Sequence, residues 1–443
     1  MVSAAEQLAA NLNFGALAKA EELKKRIWFT LGALLVYRLG TYIPLPGIDP
    51  SAWEQVFRTQ AGGILGMFNM FSGGGIHRMA IFALNIMPYI SASIILQLMT
   101  TVSPTFEALK KEGEQGRKTI NQYTRYLTVG LAAIQAYGIS IGLEGAGSVV
   151  SEPGMFFRIS TTITLTGGTM FLMWLGEQIT ARGIGNGISL IILAGIVAEL
   201  PSALAGMFEL GRQGALSTGI ILAVVVMAIV VIAFIVFMER AQRRLLIQYP
   251  KRQVGNQMFE GQSSHLPLKL NTSGVIPPIF ASSLLLLPTT VANFNAGSGP
   301  EWLSVITTQL GHGRPLFLVL YIALIVFFAF FYTAIVFNPT ETADNLKKHG
   351  GFIPGIRPGE RTAEYIDYVL SRITVLGAAY LAIVCLIPEI LISYAAVPFY
   401  FGGTSLLIVV SVTMDTVAQV QGYLLAHQYE GLIKKAKLRG RRR

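Results

Sequence analysis

The chain alternates apolar runs with polar and basic segments, and ten of the runs read as membrane-crossing helices. They cover about residues 27–43, 79–101, 122–143, 156–176, 185–206, 217–238, 272–293, 315–337, 369–392 and 398–421. A bilayer core needs about 20 residues of helix, and each run is near that length. Only Ser393 to Val397 separates the last two runs. Pro388 and Pro398 bracket that turn and support two helices.

The stretch Gly62 to Met99 departs from simple alternation. Ile64 to Phe71 is apolar but far too short to cross, Ser72-Gly73-Gly74-Gly75 interrupts it, and Met79 to Met99 is again long enough. A short helix, a glycine hinge and a full span predict a segment that dips toward the membrane centre and returns. Such backbone is tolerated at that depth only when buried in protein or lining a wet cavity. A half-buried loop before an ordinary span gives the same pattern.

Composition agrees with a polytopic membrane protein. The 443 residues are 52% hydrophobic and 13% charged, against about 25% charge in soluble domains, and the mean hydropathy is +0.55. The N-terminus is polar through Glu22, and Lys24-Lys25-Arg26 precede the first run. That run has no small-residue cleavage site and is expected to stay as the first span. The single cysteine, Cys385, lies inside a run, so no intrachain disulfide is possible.

The net charge of +10 matters less than its placement. With ten spans, 28 of the 34 Lys and Arg fall on the side of the two termini; five fall opposite, and Arg38 lies within span 1. This asymmetry predicts cytoplasmic termini. Ten spans divide into five and five at the polar stretch Met207 to Leu216. Because five is odd, the second half enters from the opposite side, the geometry of an inverted repeat with a functional path between halves. The expected organisation is all-α. A cytoplasmic N-tail (1–26) leads to a first half (27–206), and an outer hinge (207–216) to a second half (217–421). A basic cytoplasmic tail (422–443) follows.

Two loops on the basic side are long, 239–271 and 338–372. The first contains β-leaning Leu245-Leu246-Ile247-Gln248-Tyr249 and His265-Leu266-Pro267. In the second, Pro358-Gly359 is a turn dipeptide that would hold Arg357 at a loop tip. Attraction to anionic lipid explains charge near helix ends, and charge on a shaped tip less well.

Enzymatic motifs are missing, so neither an enzyme nor a cofactor is expected. There is no HExxH or GxSxG, and the five histidines are scattered without ligand spacing inside a run. Gly113 to Thr119 is two residues short of a phosphate-binding loop and reads as a solvated basic turn. Gly183-Ile184-Gly185-Asn186-Gly187 opens an apolar run and predicts a tight turn with close backbone approach. A transporter of a small polar solute, the second reading, would want ionisable relays at mid-membrane. Arg38 and Asp415 form no evident relay and suit structural anchoring equally.

Isoleucines recur at helical spacing. Ile86 and Ile90 share a face, as do Ile188 and Ile192; Ile276 and Ile279 are three apart, and Ile408 is near the middle of span 10. Stiff β-branched side chains could form an apolar ring that gates by dewetting. Isoleucines at this spacing also commonly face lipid or a neighbouring helix.

Several longer stretches resemble the bacterial SecY family. They are Met67 to Gly74, Ile86 to Ile94, Leu175 to Thr180, Gly183 to Ser189, Asn338-Pro339 with Glu341 to Lys348, Pro354 to Gly359, and Tyr400 to Leu407. The resemblance runs from about span 1 to the C-tail and implies the channel subunit of the Sec translocon in the bacterial cytoplasmic (inner) membrane. Such a channel passes unfolded secretory proteins and releases hydrophobic segments sideways into lipid. Ile86, Ile90, Ile188, Ile192, Ile276, Ile279 and Ile408 would line the waist of an hourglass. A short re-entrant plug of about 62–76 would close the outer funnel through Ile64, Leu65, Met67, Phe68, Asn69, Met70, Phe71, Ser72, Gly73 and Gly74. Spans 2 and 3 would face 7 and 8 at a lateral gate, where Ser91 and Ser283 are inferred to sit. The implied membrane partners are SecE and SecG. The ATPase SecA or a translating ribosome would dock on Arg243, Arg244, Lys251, Arg252, Lys347, Lys348 and Arg357. Signal sequences, nascent chains and anionic lipid complete the implied partners.

Overall fold

Prolines and small polar residues set where the helices begin. Ser103 precedes Pro104, Arg314 precedes Pro315 and Asn338 precedes Pro339, each proline standing in a first turn where its missing N–H costs nothing. Asn338 Oδ1 accepts from the Thr340 and Glu341 amides at 3.1 and 3.3 Å, which caps its helix. The computed structural model describes residues 20–60, 69, 71–145, 149–214, 217–250, 252–254, 257–259, 263–294, 314–395 and 403–440. Within them the helices are α1 (Glu21–Gly40), α2 (Pro50–Gln60), α3 (Met87–Val102), α4 (Pro104–Lys111), α5 (Glu114–Gly145), α6 (Met155–Arg182) and α7 (Gly187–Arg212). They continue as α8 (Thr218–Arg240), α9 (Ile276–Phe294), α10 (Pro315–Val336), α11 (Pro339–Lys348), α12 (Glu360–Ala395) and α13 (Gly403–Gly440). Among the described residues, six helices are long and apolar enough to cross a membrane: α5, α7, α8, α10, α12 and α13.

Several boundaries differ from the sequence expectation: α7 runs on to Arg212, into the stretch read as an outer hinge, and α12 and α13 outrun their apolar runs. The second run differs most. The run 79–101 was expected to be helical throughout, but 81–86 are turns and α3 starts at Met87. Pro88 lies in its first turn. A helix begun at Met79 would bury Pro88 in its interior, where the ring clashes with the carbonyl four residues back. Met79 and Asn85 instead have φ of 44° and 49°, which a helix cannot accommodate.

The chain forms two compact units. One comprises Met1–Gly206, Leu287–Thr307 and Ile408–Arg443; the other comprises Met207–Leu286 and Thr308–Leu407. In the first, α5 packs on α3 and α6, and α1 on α6. An apolar core of Leu45, Trp53, Phe57, Met79, Leu84, Val150, Phe157 and Leu165 joins α2 and the turns before α3 to α6. A smaller cluster joins Leu23 of α1, Ile184 and Leu424 of α13. There Thr30 Oγ1 accepts from Ile184 N at 3.1 Å, and Gln419 Oε1 accepts from Gly185 N at 2.9 Å. A Cβ on Gly187 would overlap the Gly176 carbonyl of α6, the close approach that only glycine permits.

In the second unit, α8 and α10 pack on α12. Strands β1 (Gln242–Gln248) and β4 (Ser263–Lys269) pair antiparallel with Leu245 opposite Leu266; β2 (Arg252–Val254) and β3 (Gln257–Phe259) pair with Gln253 opposite Met258. Both β-leaning stretches thus fall mainly in paired strands. The second long loop holds α11, which packs on the start of α12.

Candidate functional site

The glycine stretch is held by donors from several elements of the first unit. Tyr37 of α1 is fully buried, and its hydroxyl donates to the Ser72 carbonyl at 3.2 Å. The neighbouring Arg38 donates through Nη1 to the Gly73 carbonyl and through Nη2 to the Tyr42 hydroxyl at 3.1 Å. Asn85 donates from Nδ2 to the Phe71 carbonyl. The Trp53 indole N–H donates to the Ile76 carbonyl at 2.8 Å. Asn69 Oδ1 accepts from the His77 amide at 2.7 Å. Gly73 has φ +64° and lies so close to α7 that a Cβ would come within 2.9 Å of Gly195 Cα. Irregular backbone among apolar helices needs such partners, because unpaired carbonyls in an apolar setting are expensive.

Here and elsewhere in the first unit, charged side chains are arranged as supports. The Arg38 and Arg78 guanidinium groups lie 5.0 and 4.2 Å from the centre of the Tyr42 ring. Asp49 precedes α2 and accepts from the Ser51 hydroxyl and amide at 2.7 and 2.9 Å. Those hydrogen bonds hold its carboxyl below the usual range. Arg125 and Glu177 form a two-point pair across α5 and α6 at 3.0 and 2.7 Å.

Of the plug residues read from the sequence, Asn69, Phe71, Ser72, Gly73 and Gly74 belong to this held turn. Ile64, Leu65, Met67, Phe68 and Met70 lie outside the described residues. The isoleucines divide between the units. Ile86, Ile90, Ile188, Ile192 and Ile408 belong to the first, and Ile276 and Ile279 to the second. Ile86 precedes α3, although the Ile90 amide still donates to its carbonyl at 3.0 Å. Ile86, Ile90, Ile192 and Ile408 are buried, while Ile188, Ile276 and Ile279 are half-buried. Ser91 and Ser283 are buried, and Ser283 donates within its own helix to the Ile279 carbonyl at 2.8 Å.

Arg243, Arg244, Lys347, Lys348 and Arg357, from the two long loops, sit on one folded module. Leu245, Leu268, Ile353, Ile366 and Ile373 form its apolar core. Gln248 and Phe352 bridge the loops by exchanging backbone hydrogen bonds of 2.9 and 3.0 Å. Arg243 and Arg244 are exposed on β1, Lys347 and Lys348 on the last turn of α11, and Arg357 at its turn. Arg252 lies in β2, while Lys251 and the Arg252 side chain are outside the described residues. Sequence reasoning missed this shared module and the support of the glycine turn by Tyr37, Arg38, Trp53 and Asn85. The signal for the latter was Arg38, a lone charge within an apolar run.

A profile of the SecY family matches residues 80–417. The chain is 58% identical over 422 residues to the protein translocase subunit SecY of Rickettsia conorii, covering 94% of this chain and 97% of the relative. It resembles a solved structure described as "The structure of a protein conducting channel", with TM-score 0.63 and 18% identity, covering 90% of this chain and 92% of that one. Another, described as "Sec61 in the Canine ribosome-channel complex from the endoplasmic reticulum", gives TM-score 0.60 at 17% identity, with 90% and 92% covered. A profile matching most of the chain and a near full-length relative at this identity mean that the chain belongs to the SecY family.

Proposed function

We propose that the chain is the protein-conducting subunit of a translocase in the cytoplasmic membrane of a bacterium. Unfolded secretory proteins cross through it, and hydrophobic segments leave it sideways into lipid. The observation that carries this reading is kinship with protein translocase subunits along nearly the whole chain. That kinship favours a channel over an enzyme and lends nothing to the solute-transporter reading. In this account ten helices form two inverted halves, with both termini in the cytoplasm by the distribution of Lys and Arg.

The seven isoleucines form the waist. An apolar ring has no hydrogen-bond preference, so it can pass varied sequences while resisting wetting by ions. The segment of about 62–76 closes the outer side, and its root is the held turn at Phe71 to Gly75. Spans 2 and 3 part from 7 and 8 to open the gate, with Ser91 and Ser283 beside it. A signal sequence is itself a hydrophobic helix and partitions into lipid once that path opens. Force comes from a partner: the ATPase SecA or a ribosome engages the basic module, and SecE and SecG accompany the channel. A solved structural neighbour is described in a ribosome-channel complex. Anionic headgroups suit the remaining basic residues.

Depleting the protein in cells tests this directly. Uncleaved secretory precursors should accumulate within the cell. Loss of uptake of a small solute, with secretion intact, would overturn the reading.

A further inference from the structure

Arg357 combines a free head with a fixed base. Its side chain is exposed. Among the described residues its guanidinium has no hydrogen-bond or ion-pair partner; Glu364 lies instead 3.8 Å from Arg361. The backbone beneath it is tied on both flanks. The hydroxyl of Thr362, a residue only 2% exposed, donates to the Arg357 carbonyl at 2.9 Å. The Thr362 and Ala363 amides donate to the Gly359 carbonyl at 3.0 and 3.1 Å. On the other flank, the Ile356 amide donates to the Ile353 carbonyl at 3.1 Å, and Ile353 is buried in the core shared by both loops. The Lys347 ammonium stands 3.8 Å from where a Cβ on Gly359 would lie, so a second cation flanks the same turn.

We propose that Thr362 is a positioning residue for docking at Arg357: it fixes the Arg357 carbonyl and so holds in place the backbone from which the guanidinium reaches a carboxylate of an acidic protein partner. The inference rests on the docking role given to Arg357 above. A planar fork is satisfied by a carboxylate only in the correct direction, so a rigid base contributes to binding by preorganisation. Phosphate-rich RNA is bound largely through summed charge and gains less from one aimed side chain. That difference favours a protein surface.

The experiment uses membrane vesicles carrying the whole complex, a purified motor ATPase and a secretory precursor. Precursor-stimulated ATP hydrolysis is measured against motor concentration for the parent, Thr362→Val, Thr362→Ser, Arg357→Lys, Arg357→Glu and the double variant Thr362→Val with Arg357→Lys. Thr362→Val should raise the half-saturating motor concentration about two- to tenfold, the range spanned by one neutral hydrogen bond. The maximal rate should stay near the parental value, and Thr362→Ser should restore the parental curve. In the Arg357→Lys background Thr362→Val should cost less, because the directional fork whose base it holds is gone. Should Thr362→Val not accumulate, Thr362→Cys, whose thiol is a weaker donor, takes its place in the cycle. Equal losses in both backgrounds would reduce Thr362 to a purely structural role and overturn the proposal. So would an unchanged motor curve in Thr362→Val vesicles that bind purified ribosomes more weakly than parental vesicles in co-sedimentation. If Arg357→Glu itself behaves like the parent, the docking role fails and the proposal falls with it; if Arg357→Glu fails while Thr362→Val is parental, only the positioning role is lost.

Discussion

An arginine in an apolar helix is stable only if its donors find acceptors, and Arg38 finds the Gly73 carbonyl and the Tyr42 hydroxyl. The charge was conspicuous in the sequence, but its partner was not. A backbone carbonyl 35 residues away has no side-chain signature, and either an anchor or a relay was a fair reading of an isolated charge. Hydrogen bonds to charged groups contribute about 1.5–3 kcal/mol. Arg38→Gln should therefore loosen the glycine turn and, if that turn roots the plug, raise resting ion conductance of the purified complex in planar bilayers. Tyr37→Phe removes one neutral hydrogen bond and should have a smaller effect in the same direction. Conductance at the parental level in both variants would detach the turn from the seal. Arg357 poses the opposite problem. Pro358-Gly359 made its turn legible, whereas the buried hydroxyl of Thr362 five residues on gave no sign of its target.

At the scale of elements, hydropathy located the runs but not where their helices start and stop. Apolar runs mark the part of a helix that meets lipid or core, and say little about the rest. Thus α12 begins at Glu360, nine residues before the run 369–392, immediately after the Pro358-Gly359 turn. Likewise α13 continues through the basic tail to Gly440. The run 79–101 erred the other way. Its hydropathy is continuous, but Pro88 moved the helix start to Met87 and left 81–86 as turns. The strands were legible because β-branched and aliphatic residues cluster in Leu245 to Ile247. Their partners were less so, since the bridge from Gln248 to Phe352 joins two loops that are separated in sequence by α9 and α10. Such non-local pairing is set by the shared apolar core, which no local window contains.

For the molecule as a whole, charge asymmetry predicts an orientation, and motif spacing pointed to the family to which the chain belongs. Neither could specify which side chains support the irregular backbone, because that depends on contacts between distant helices. The orientation is testable with an impermeant maleimide in a Cys385→Ser background. His349→Cys, in the long basic loop, should label only from the cytoplasm, and Glu152→Cys, in the loop between α5 and α6, only from outside. Labelling of His349→Cys from outside would overturn the ten-span orientation. The central claim is that a polypeptide passes through this chain, and its most direct measurement is contact with a protein caught in transit. A secretory precursor carrying one cysteine is arrested midway and oxidised against single cysteines replacing Ile90, Ile192 or Ile408. Phe156, 86% exposed on α6, serves as the control position. The account predicts disulfides from the three isoleucine positions and none from Phe156. A protease-protected, arrested precursor that bonds to none of the three would contradict it.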